Sequence, residues 1–484
     1  MSASTDTRDT PPAPRHQHQV LAVLLLACVS FALSQTLVIP ALPAIASSLS
    51  ASPESTSWVL TGFLLAASVA TPIIGKLGDL YGRGRMLTVV LALFALGGAI
   101  NALAPSIGWL IAGRVLQGVA GGVFPLSFGI VRETSPVGKV PTHLALLSGV
   151  FGIGGGIGLP LSGVIVDNAD IAWLFWLSLI AAPAALAAYW LIPSTPSDAP
   201  ARVDWLGALV LSAALASILL GVTHAEGWGW TDPRTLALLI GGLVLVAVWV
   251  SVERRVEHPL IELDVLRNRA VAATNATGFL VGVAMFASFL LIPQYAQTPT
   301  SSGYGFGYSV TMSGLLLLPS ALVQLAAGPL AGVIGIRIGF RRVLVLGATS
   351  LTAAFALLGV VHSEPWHFIA SGVLLGIGIT FAFASMANLV VAASPRDQIG
   401  IATGINTVVR TVGGSFGAAT ATAILAAHTP AGSLLPSGNA YGLAFWFSAV
   451  VALVAVGLAL LVPEDVDERA DEPVSVPAAA AVAD

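Results

Sequence analysis

Pro72-Ile-Ile-Gly75-Lys-Leu-Gly78-Asp79-Leu-Tyr-Gly82-Arg83-Gly-Arg85 is echoed 257 residues later by Pro329-Leu-Ala-Gly332-Val-Ile-Gly335-Ile336-Arg-Ile-Gly339-Phe-Arg-Arg342. Five identities at one offset, each copy lying between two long apolar stretches, mark an internal duplication. Outward from the two copies the chain reads as fourteen apolar stretches, at about 19 to 44, 57 to 75, 86 to 104, 108 to 130, 142 to 165, 172 to 192, 203 to 223, 235 to 252, 270 to 293, 310 to 335, 343 to 361, 367 to 393, 399 to 427 and 441 to 462. Each is close to the roughly 20 residues that carry a helix across hydrocarbon. Lipid offers no partners to backbone N–H and C=O groups, and a helix satisfies its own.

The same offset lays the second to fifth stretches over the tenth to thirteenth. The expected fold class is therefore all-α integral membrane, with fourteen transmembrane helices: two six-helix bundles related by the repeat plus two linker helices. The expected divisions are a disordered cytoplasmic N-terminus (1–18), an N-terminal bundle (19–200), two extra helices with a cytoplasmic loop (201–269), a C-terminal bundle (270–463) and an acidic cytoplasmic tail (464–484). An alternation of charge along 253–269 suggests a surface helix tying the bundles together.

Basic residues test the layout, because loops that stay inside keep Lys and Arg while translocated loops lose them. Of the 20 Lys and Arg, only Arg234 falls in an outer loop, and Arg114 and Arg410 lie within spans. Both termini are then expected on the cytoplasmic side. Charged residues make up 9% of the chain and hydrophobic ones 56%, far from the roughly 25% charged of soluble domains. Arg greatly outnumbers Lys, whose only copies are Lys76 and Lys139, and Ala and Gly are abundant. This composition points to a bacterial inner (plasma) membrane.

Several function classes are excluded by what the chain lacks. Neither lysine is followed by Ser or Thr, so there is no phosphate-binding loop for ATP-driven transport. One cysteine, Cys28, and no His-Glu-x-x-His pair leave no metal-site signature. No cofactor and no nucleic-acid partner is expected, and an enzyme is not. Duplicated bundles enclosing a site near the midplane are the plan of secondary transporters. A monomer carrying a small-molecule substrate through the lipid bilayer is expected.

The loop Gly75-Lys-Leu-Gly-Asp79-Leu-Tyr-Gly82-Arg83-Gly-Arg85 resembles the signature loop of the major facilitator superfamily. Arg114-Val-Leu-Gln117-Gly118 and the Gly-rich segment from Gly152 to Gly163 strengthen the likeness. With fourteen spans, Thr36-Leu-Val-Ile-Pro-Ala-Leu-Pro43 and Trp58-Val, the chain is similar to the drug:proton antiporter branch. The resemblance implies alternating access and export of amphipathic or drug-like molecules by proton antiport, with multidrug or antibiotic resistance as the consequence. A facilitator or importer of a small metabolite, or a translocator of lipid-like substrates, is the alternative.

Candidate residues follow. Asp79 and Arg83, four apart, can pair on one helix face. With Gly75, Gly82 and Glu133 they form a candidate cytoplasmic latch, and the resemblance implies that Asp79 meets the N-terminus of the thirteenth helix. The second copy has Ile336 in place of Asp79, so such a latch is one-sided. In the fifth span Gly154, Gly158, Pro160 and Gly163 form a small-residue packing face, which the resemblance directs against the tenth helix. Arg114 and Arg410 are costly inside lipid, about 2.5 to 3.5 kcal/mol each, and charges so placed face cavities or partners. Ser34, Gln35, Arg114, Gln117, Asn406 and Arg410 are the candidate transport pathway. Thr36, Gln294, Gln297, Gln324 and Asn388 are further candidate lining. Relatives by resemblance carry an Asp where this chain has Ser34, and a hydroxyl does not titrate near neutrality. No Asp or Glu falls mid-span. A coupling proton would need another carrier, and neutral, zwitterionic or anionic cargo is favoured over strongly cationic cargo.

Overall fold

The computed structural model describes residues 14–192, 204–256, 259–395, 398–430 and 435–464. Most of the N-terminal tail, the proline linker with Pro193, Pro196 and Pro200, His258, Asp397 and the acidic tail beyond Glu464 lie outside the described residues.

Fourteen long helices cross the molecule among the described residues: α1 (Pro14–Thr36), α2 (Pro53–Tyr81), α3 (Arg83–Ala102), α4 (Ile107–Thr134), α5 (Val140–Asn168), α6 (Ala172–Leu191) and α7 (Trp205–Trp228), then α8 (Pro233–Glu253), α9 (Arg269–Gln297), α10 (Val310–Ile338), α11 (Phe340–Val360), α12 (Pro365–Ala393), α13 (Ile399–Ala427) and α14 (Gly438–Ala459). Thirteen are long and apolar enough to cross a membrane on their described residues, and α5 runs unbroken for 29 residues. No strand occurs among the described residues. Starts are set by local chemistry: the Ser52 hydroxyl accepts from Ser55 N at the head of α2, Asp204 from Gly207 N at α7, and Ser309 from Met312 N at α10.

The two copies of the repeat turn alike. Gly82 (φ 98°, ψ 125°) separates α2 from α3, and Gly339 (φ 88°, ψ 143°) separates α10 from α11. A Cβ forbids that region, so only glycine permits the sharp re-aiming of the chain. Packing repeats as well. α1 lies on α5 and α6 as α9 lies on α13 and α14, and α3 meets α4 and α6 as α11 meets α12 and α14. Each half has its own apolar core, around Phe31, Phe63, Phe94 and Phe124 in one and Phe355, Phe368, Phe383 and Phe445 in the other. In lipid such cores are held by close packing rather than by expulsion of water.

The halves meet along two seams related by the repeat, α2 against α13 and α5 against α10. α7 packs on both α2 and α13, and α8 packs on α7.

Three expectations need correction. Helix α1 begins at Pro14, inside the stretch expected to be disordered, and stops at Thr36 rather than continuing to 44. Pro40 and Pro43 lack the N–H a helix needs there, and the chain turns into a separate short helix, Leu42–Ser48. After α8 only a five-residue helix forms, Leu263–Arg267. Leu260 and Ile261 before it are buried against Trp249, Ala208 and Ile401, while Arg254, Arg255, Glu262, Asp264, Arg267 and Arg269 stay exposed, so the segment lies on the surface as expected but is pinned there by two apolar side chains rather than by a continuous helix.

Candidate functional site

Between the halves three adjoining spaces form a funnel. The narrowest, about 30 Å³, is walled by Phe31, Gln35, Thr71, Thr407, Arg410 and Thr411. Next comes about 260 Å³ walled by Gln35, Thr36, Thr61, Phe286, Phe289 and Ser415, among others. The widest, about 540 Å³, has Phe289, Gln294, Gln297, Ser313, Thr422 and Tyr441 in its wall. Along α13 the lining moves from Thr407 to Thr422 as the space widens, away from the end of the molecule that holds Asp79 and Gly400. At 1.5 Å per residue Arg410 is about 15 Å from that end. Arg410 is the one charged side chain in these walls among the described residues, and its guanidinium carbon sits 4.1 Å from the centre of the Phe383 ring.

The candidate pathway residues therefore divide. Gln35 and Arg410 line the funnel, joined by Thr36, Gln294 and Gln297. Ser34, Arg114 and Gln117 do not: they form a buried cluster behind it, inside the first half. Arg114 is 0% exposed, donates from Nε to Val59 O (3.1 Å), and from Nη1 to Ser34 O (3.2 Å), Ser34 Oγ (3.0 Å) and Gln117 Oε1 (3.1 Å). Its guanidinium lies over Phe63, 4.1 Å from the ring centre, and Nη2 has no hydrogen-bond partner among the described residues. Gln117 in turn donates to Ser178 Oγ and accepts from Asn101 Nδ2. Asn406 pairs through Nδ2 with Asn275 Oδ1 at 2.9 Å within the second half. Gln324 donates to Ser320, and Asn388 to Ala384 O and Pro141 O, so both are structural bonds of the walls.

The latch residues converge beyond the closed end of the funnel, where α2 meets the start of α13. Asp79 Oδ1 accepts from Arg83 Nε (2.9 Å) and Nη2 (2.6 Å), and Arg83 Nη1 reaches Glu133. Across the seam, Gly400 N and Ile401 N donate to Asp79 Oδ1 and Oδ2, each at 3.3 Å. A carboxylate there meets the positive end of the α13 dipole and unsatisfied N–H groups. A Cβ on Gly75 would run into Gly400 O, so the two backbones touch where the halves meet. Sequence reasoning missed Arg132 of α4, which also donates across the interface of the halves, to Val391 O in the last turn of α12. One half thus grips both sides of the α12–α13 turn, an anion on amides and a cation on carbonyls. Backbone acceptors have no residue-type signature, which is why Arg132 read only as a loop charge.

The glycines of α5 serve two neighbours. Thr36 Oγ1 donates to Gly154 O at 2.5 Å, and a Cβ on Gly158 would overlap that hydroxyl, so Gly154 and Gly158 admit α1 rather than α10. Gly163 against Thr311, and Pro160 against Gly314, make the approach to α10.

The sequence profile of the Major Facilitator Superfamily matches residues 24–305 and 274–482. The chain belongs to this superfamily, and it is a multi-pass membrane transporter and not an enzyme. It is 28% identical, over 99% of both chains, to the tetracenomycin C resistance and export protein of Streptomyces glaucescens. A multidrug resistance protein B homolog of Mycobacterium tuberculosis is 31% identical, over 76% of this chain and 69% of that one. The uridine/deoxyuridine transporter of Lactococcus lactis is 29% identical over 80% and 82%. Among solved structures, the human organic anion transporter MFSD10 (TETRAN) superposes with a TM-score of 0.62 at 19% identity, covering 93% of this chain and 100% of that one. The latter likeness concerns the fold alone.

Proposed function

We propose that the protein exports neutral or anionic amphipathic molecules, antibiotics among them, across the bacterial inner membrane by alternating access, in exchange for protons. The observation that carries the reading is the funnel: hydroxyl and amide groups among apolar and aromatic walls, no carboxylate among the described lining, and Arg410 at its closed end. Amphipathic cargo gains from apolar burial plus a few placed polar partners, and a guanidinium rather than a carboxylate at the apex disfavours cations. The export direction draws on the names of two relatives, one an export protein and one a multidrug resistance homolog.

In this reading the Asp79 end is cytoplasmic, both termini lie on that side, and the funnel faces outward with the latch shut. The two bundles, 19–200 and 270–463, rock about their seams as a monomer, and the latch residues Gly75, Asp79, Gly82, Arg83 and Glu133 part when the inner face opens. Arg114, held by Ser34 and Gln117, positions α1 and α2 for that movement. Proton coupling then uses a group other than a carboxylate at position 34. A facilitator or importer is the second reading, favoured by the missing carboxylate and by the uridine transporter among the relatives.

Proteoliposomes with an imposed pH gradient separate the two. Antiport predicts gradient-driven movement of tetracenomycin C by the wild type, retained in Ser34→Asp and lost in Arg114→Ala. Movement indifferent to the gradient would favour the facilitator.

A further inference from the structure

Helices α7 and α8 stand outside the repeat, yet Val222 and Thr223 of α7 are part of the wall of the 260 Å³ space between the halves. The two seams differ at this level. Along α5 and α10 the backbones also touch at the end away from Asp79, a Cβ on Gly314 falling 2.9 Å from Pro160 N and one on Gly163 3.1 Å from Thr311 Cα. Along α2 and α13 the close contact is confined to the latch end, where Gly75 meets Gly400 and Gly404 meets Thr71 and Pro72. Further along, Leu60, Thr61 and Leu64 of α2 and Ser415, Ala418, Ala419 and Thr422 of α13 face the cavity, and α7 fills the gap between them. It is fixed to both sides. Ala208 and Leu211 pack with Ile401, Ile405 and Ile73 near the latch, and His224, stacked on Trp228 at 4.5 Å, faces Trp58 of α2 at 6.3 Å. Just past α7, Trp230 lies 6.3 Å from Phe416 of α13.

We propose that α7 is a wall of the cargo site, with Thr223 touching the bound molecule, its hydroxyl donating to or accepting from the cargo's polar groups, and Val222 packed behind it. Resting on the cavity reading above, this assigns the inserted helix a part in cargo selection and in sealing the α2–α13 seam from lipid. A hydroxyl aimed at cargo selects molecules with carbonyl or hydroxyl groups on an apolar frame.

Cysteine labelling tests it in the full-length protein, since the native Cys28 is fully buried. Thr223→Cys, Phe289→Cys in the cavity and Thr231→Cys, exposed just past the outer end of α7, are treated with a membrane-impermeant methanethiosulfonate, with and without saturating tetracenomycin C or the neutral dye Nile red. The expected result is labelling of Thr223→Cys that cargo slows at least threefold, as it does at Phe289→Cys, with no slowing at Thr231→Cys. Thr223→Val, of the same shape without the hydroxyl, should raise KM about three- to tenfold, the worth of one hydrogen bond, with insertion unchanged. Protection at Phe289→Cys alone, with wild-type KM in Thr223→Val, would overturn the role of α7 and leave the cavity reading standing. Protection at neither cysteine would overturn both.

Discussion

Two buried arginines, Arg83 at the latch and Arg114 in the body of the first half, are held in opposite ways. Arg83, 5% exposed, binds the Asp79 carboxylate through two nitrogens and reaches Glu133 with a third. Arg114 is more deeply buried and makes all four of its hydrogen bonds to neutral groups, two of them backbone carbonyls, with the Phe63 ring against its face. The contrast separates neutralising a charge from solvating it. In the proposed cycle the halves part and rejoin at Arg83, where opposite charges give a contact that can reform, while Arg114 sits inside a bundle that would move as one body, where fixed dipoles suffice. It also locates the missing carboxylate, because Ser34 stands where an acid would meet Arg114.

Substitutions can break this comparison. Removing Arg83 leaves a carboxylate buried at Asp79, so Arg83→Ala should cost about 3 to 5 kcal/mol, read as a lower melting temperature in detergent and loss of transport. Arg114→Leu strands no carboxylate and should cost less, about 1 to 3 kcal/mol for Ser34 and Gln117 left with unmet bonds. If Arg114→Leu proves the more damaging by thermal melt, the distinction between the two arginines fails. Asp79→Asn keeps the shape but loses the charge at the head of α13, about 0.3 to 2 kcal/mol. Transport should fall several-fold with normal membrane insertion, and unchanged transport would remove the latch. Glu133, whose side chain is 39% exposed, should matter least: Glu133→Gln is expected to change stability by under about 1 kcal/mol and to leave transport nearly at the wild-type rate.

Much of this architecture is written in the chain because lipid enforces it. Spans, basic loops and the Gly82 and Gly339 turns all follow from backbone and charge rules that single residues obey. What escaped is the direction in which neighbours point. Ser34 and Gln35 are adjacent, but a helix turns about 100° per residue, so one faces Arg114 and the other the funnel. Gly154 and Gly158 read as a face for α10 and instead admit α1, since the Thr36 hydroxyl needs the room. Arg132 bonds carbonyls that no residue letter announces. α7 has no mid-helix charge or amide to flag Thr223, and its place in the cavity wall emerges only from packing.

Pulsed electron resonance between spin labels gives the most direct test of the two halves rocking about a shared cavity. One pair, at Tyr81 and Ile338, spans the latch end, and the other, at Leu103 and Val360, spans the opposite end; all four side chains are exposed, and Cys28 is buried from the label. Alternating access predicts that tetracenomycin C together with a shift between acidic and neutral buffer lengthens one distance while shortening the other. Two distances that change together, or neither changing while the same preparation still transports, would contradict it.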